Sequence, residues 1–64
     1  MSRKIWLAKS AERNLKRAHK KFLKAMQACM IDGMEKNGTD YRNLSQADDL
    51  TYKAIGRVSE VIDS

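Results

Sequence analysis

The chain has no proline, only three glycines, one cysteine, one histidine and four aromatic residues among 64. Each scarcity excludes something. The low aromatic content and the missing proline, set beside many Ala, Lys, Met and Leu, favour helix over sheet, and no convincing strand pattern survives. A lone Cys29 rules out a disulfide within the chain, and one Cys with one His, His19, is too few ligands for a structural zinc site. No metal or cofactor is expected. With no second histidine, no Ser-His-acid set, no carboxylates paired in a pocket-forming context and no glycine-rich phosphate loop, catalysis has no evident machinery. A non-enzymatic protein is therefore expected. Apolar runs are short as well: none approaches the ~18–20 residues of a membrane span, and the apolar stretch near Met1 is too short for a signal peptide. The expected location is the reducing cytoplasm.

At 64 residues the chain falls below the ~70–80 residues at which one core supplies more than ~3–5 kcal/mol. With disulfides and metal excluded, self-association is the remaining means of completing a core.

Charge is abundant but uneven. Residues 1–24 hold nine cations against Glu12 alone, whereas the rest of the chain holds seven acids against four cations, for a net charge of +5. One end of the molecule is strongly cationic, which points to an acidic partner.

The clearest pattern runs through Ala8, Ala11, Leu15, Ala18, Phe22, Ala25 and Cys29, alternating spacings of three and four, as an amphipathic helix requires. Ala11, Ala18 and Ala25 recur every seven residues between larger ones, so a second helix can approach closely. These seven residues are the expected core or oligomer seam, with Gly33 continuing its small side. At about 100° per residue, Lys9, Arg13, Lys16, Arg17, Lys20, Lys21 and Lys24 fall behind the seam as a basic ridge. Trp6 adjoins that ridge. Few acids stand four residues from these cations, and the cations sit at the positive end of the helix dipole, so the ridge works against helix stability. Glu60 and Asp63 are expected to offset part of that by pairing with it.

Gly38, after Glu35-Lys36-Asn37, suits a left-handed helix end. The first helix is therefore expected over about residues 10–37, capped by Ser10 and preceded by a short helix or arm, or else over 2–37. A loop follows at 38–43. Asn43 with Gln46, or Ser45 with Asp48, offers a capping box for a second helix over about 44–62, whose apolar face includes Leu44, Leu50, Ile55, Val58 and Ile62. The expected fold is all-α: a two-helix antiparallel hairpin in one domain of residues 1–64, dimerising into a helical bundle. Folded this way, the first helix overhangs, leaving Trp6, Leu7, Ala8, Ala11 and Leu15 for a second copy to cover.

Two smaller features complete the reading. Leu23, Met26, Met30 and Met34 form a second apolar stripe, expected to pack against a neighbouring helix. Gly56 lies on the outer face with Tyr52, where alanine would be better by ~1 kcal/mol, so this pair marks a secondary patch open to close approach. A helix-turn-helix with its turn at Gly56 fails, because only eight residues follow.

Function is thus expected to be binding: a homodimeric regulatory protein, such as an inhibitor, that docks its basic ridge on an acidic protein surface. The same ridge could instead lie along duplex phosphates, which need only an extended cationic surface. A third reading is a nucleotide-like ligand held at an oligomer interface near Tyr41, Arg42, Tyr52 and Arg57.

Overall fold

A computed structural model describes residues 2–64. Two helices of equal length, α1 (Arg3–Asp32) and α2 (Met34–Asp63), are separated by Gly33 alone. They pack along their whole length as an antiparallel hairpin with principal extents of 49 × 14 × 11 Å. Thirty residues at 1.5 Å each make a helix of about 45 Å, so the molecule is as long as one helix and two helices wide. An all-α hairpin is what the periodicity predicts; the positions of its ends differ from expectation.

The reversal occurs five residues earlier than Gly38. Gly33 has φ 110° and ψ 121°, a backbone conformation open to glycine and costly for any residue with a Cβ. Its carbonyl accepts the Asn37 backbone N–H at 3.1 Å and the Asn37 side-chain amide at 3.2 Å, which closes the first turn of α2. Gly38, Asn43 and Ser45 all lie inside α2, so the expected loop at 38–43 and both capping boxes are absent. The physical reason is the seam. Tyr41 and Asn37 continue the three-and-four spacing of Leu44, Thr51, Val58 and Ile62 backwards, and a turn at Gly33 uses all of it. A turn at Gly38 would waste a full helical turn.

At the other end, Ser2 rather than Ser10 caps α1: its hydroxyl accepts the Ile5 N–H at 3.2 Å. Of the two expected starts, the continuous helix from about residue 2 is the one formed. No overhang remains, since Gly33 makes the arms equal and brings the start of α1 level with the end of α2. That corrects the argument by which Ala8 and Leu15 lacked a partner within the chain, while Trp6, Leu7 and Ala11 remain exposed.

The residues turned inward follow a strict heptad. On α1 they are Ile5, Ala8, Glu12, Leu15, His19, Phe22, Met26 and Cys29, and on α2 Asn37, Tyr41, Leu44, Asp48, Thr51, Ile55, Val58 and Ile62, all partly buried. A sustained 3.5-residue repeat is the signature of a two-stranded coiled coil, with these residues at its a and d positions. Ala11, Ala18 and Ala25, expected within the seam, lie along its edge instead. Ala11 is exposed, and Ala18 and Ala25 are half-buried.

No residue among those described is fully buried, and the chain exposes 5202 Å². A compact monomer of 7.3 kDa exposes about 4,200 Å² by the usual size scaling. Two helices cover one face of each other and leave the remaining sides wet.

Candidate functional site: the two broad faces of the hairpin

In an antiparallel two-stranded coil, the e positions of both helices flank the seam on one side and the g positions flank it on the other. The hairpin is therefore a plank with two different broad faces.

The first face carries the basic residues. Lys9 and Lys16 occupy e positions of α1, Arg13 and Lys20 stand beside them, and Trp6 lies at the same edge, 59% exposed. Farther toward the turn the same line of α1 becomes apolar, with Leu23 and Met30, both exposed. Opposite, α2 presents Gly38, Ser45, Tyr52 and Ser59, small residues except for one tyrosine. A shallow groove here is lined by Lys16, His19, Tyr52, Ile55, Gly56 and Ser59. The patch at Tyr52 and Gly56 thus meets the basic ridge at Lys16 across the two helices, which no local pattern shows.

Of the other ridge residues, Arg17 and Lys24 fall on the outer back of α1, and Lys21 turns toward the opposite face. Glu12 reaches Lys16 at 3.7 Å, and that is the ridge's one ion pair among the described residues. The expected pairing of Glu60 and Asp63 with the ridge does not form. Glu60 instead meets Arg57 on its own helix at 3.8 Å, because its f position in the heptad turns it away from α1. Of the methionine stripe, Met26 packs in the seam while Leu23, Met30 and Met34 stay exposed, since a two-helix structure has no second neighbour to cover them.

A residue pair that the sequence reading missed lies beneath the groove. His19 Nδ1 and Asp48 Oδ1 are 2.7 Å apart across the seam, with side chains 33% and 13% exposed. The Tyr52 ring sits edge-on to His19 at 6.3 Å. Both His19 and Asp48 occupy a positions, where an apolar residue would ordinarily stand. A polar pair there fixes which level of one helix meets which level of the other. The available signal was the heptad itself: Glu12, His19 and Met26 on α1, and Tyr41, Asp48 and Ile55 on α2, are each seven apart. The capping-box reading of Asp48 masked it.

The second face is lined by alanine: Ala11, Ala18 and Ala25 on α1, Ala47 and Ala54 on α2. Near the turn, Ala25, Ala28 and Leu44 border a shallow apolar hollow with Cys29, Asp40 and Asn43. Cys29 is a free, half-buried thiol at its edge.

The residues suggested for a nucleotide-like ligand do not converge. Tyr41 and Arg42 border one groove near Gly38, Tyr52 borders another, and Arg57 belongs to the alanine side of α2.

Fold and faces together define a class: an antiparallel two-helix coiled-coil hairpin with one basic and one alanine-lined face. No family model, no curated protein and no solved structure matches the chain. No helix among the described residues is long and apolar enough to cross a membrane.

Proposed function

We propose that this protein is a non-enzymatic interaction protein that docks its basic face on an acidic protein surface, acting as a homodimer in the reducing cytoplasm. The observation that carries this reading is the line Lys9, Lys16, Leu23, Met30 along one edge of α1, exposed and without a covering element. Lys9 and Lys16, with Arg13 and Lys20 beside them, and the apolar continuation match a helix that is acidic at one end and apolar at the other. Small residues on the α2 side, Gly38, Ser45 and Ser59, leave room for that helix to lie against the seam, with Tyr52 as an anchor. Phosphate backbones would use the cations and leave Leu23 and Met30 wet, which places nucleic acid second.

The test is affinity capture from native lysate with and without nuclease, using the wild type and a Lys16→Glu/Lys20→Glu variant. A species that survives nuclease and is lost with the variant supports the reading. A species that disappears with nuclease replaces it by the nucleic-acid reading, and retention by the variant removes the basic face.

A further inference from the structure

We propose that the alanine face is the docking site for a second copy of this chain, laid antiparallel so that the turn of each copy covers the open end of the other. This deepens the homodimer reading above and rests on it.

Area is the first argument. The chain exposes roughly 1,000 Å² more than a compact monomer of its mass, and a stable interface takes about 800 Å² from each partner. A broad face measures 49 × 14 Å between Cα positions, and the side chains that project beyond those positions on every side carry its area past that figure. On the alanine face Leu7, Leu50 and Val61 are 47%, 67% and 39% exposed. They are apolar residues with nothing in their own chain left to meet.

Charge selects the occupant and its direction. Lys4, Ala11, Ala18, Ala25 and Asp32 follow one another at intervals of seven along α1, a line with a cation at one end and an anion at the other. Both charges oppose the helix dipole, for the first turn of α1 contains no acid and the last no base. Among the described residues neither Lys4 nor Asp32 has an ion-pair partner within the chain. Turning a second copy about a two-fold axis at Ala18 sets Lys4 opposite Asp32 of the second copy, Ala11 opposite Ala25, and Ala18 opposite itself. The symmetry makes the charge pair twice. Leu50, level with Arg17 on the neighbouring helix, comes close to the same axis and meets its own equivalent.

The other two-fold arrangement, with both turns at one end, sets α1 on α2 of the second copy. It gathers Asp32 and Asp40 of both chains at one end, with Lys36 as the cation on that flank, and sets Lys4 against Val61, since Asp63, level with Lys4, lies on the other flank of α2. Charge therefore favours the antiparallel four-helix bundle. Both basic faces remain on its outside, free for the partner.

Sedimentation velocity and disulfide trapping on the full chain, in a Cys29→Ser background, test this. Ala18→Cys is expected to yield a covalent dimer on oxidation, and Lys16→Cys, on the basic face, is not. Lys4→Glu should weaken the dimer by about tenfold, and Lys4→Glu/Asp32→Lys should restore it. Each of these reversals suits its own helix end, so a loss of dimer cannot come from a weakened helix. A dimer that is trapped through Lys16→Cys instead, or that ignores Lys4→Glu, overturns the alanine face and leaves self-association standing. A wild-type chain that sediments as a monomer at a hundred micromolar overturns both.

Discussion

The basic face and the alanine face are flanks of the same pair of helices, yet one is built for charge and the other for close approach. On α1 the e line reads Lys9, Lys16, Leu23, Met30 and the g line reads Ala11, Ala18, Ala25. The same backbone supports both. In a hairpin whose seam uses only a and d positions, the flanking positions are free to diverge, and their divergence gives the molecule two chemically different sides. A bundle with four helices in one chain would have spent one of these faces on its own core.

Charge reversal at the basic face should have the largest effect and separates the two faces. Lys16→Glu/Lys20→Glu should reduce partner binding by about a hundredfold, as losing and reversing two desolvated charges does, while sedimentation and helix content by circular dichroism stay unchanged. If dimerisation fails as well, the two faces are not independent.

Next in size is the seam that both faces share. His19→Ala leaves the Asp48 carboxylate, 13% exposed, without its partner and should cost about 1–3 kcal/mol in chemical denaturation. His19→Leu/Asp48→Leu, which removes both polar groups, should recover most of that loss. Equal destabilisation by the single and double variants would show that the pair is not the source of the effect.

Gly33→Ala should cost a similar ~1–3 kcal/mol, for a different reason. A Cβ there meets no atom within 4 Å, so the penalty lies entirely in the positive φ. No change in melting temperature would mean that the chain reverses elsewhere.

The smallest effect separates folding from function. Gly56 lies in the interior of α2, and a Cβ added to it also meets open space. Gly56→Ala should therefore stabilise the protein by about 0.5–1 kcal/mol. If the partner helix lies close to Tyr52 and Gly56, the same variant binds it more weakly. Stabilisation with unchanged binding would move the contact away from this groove.

The sequence was informative about one kind of feature and misleading about another. The helix at Ala8–Cys29 and the apolar run from Leu44 to Ile62 were legible because a period of three and four survives in a single strand of text. The turn was not, because Gly33 and Gly38 are equally able to end a helix, and choosing between them requires knowing which choice lets both seams meet. His19 and Asp48 were missed for a related reason: each alone looks like a surface residue or a cap, and only pairing across 29 positions shows what they do. Spacing alone puts the alanines in the core, because they share a side with Leu15 and Phe22; they flank it because a two-stranded seam is narrower than the apolar stripe.

By itself, then, the amino-acid order determined the helical class, the cationic first half and the heptad recurrence of small residues, since all three depend on composition and on spacing along one helix. Only the tertiary structure decided where the chain turns, which residues meet across the seam and which flank each line of side chains occupies. Those depend on the register between two helices, and register is a property of the pair that neither helix carries alone.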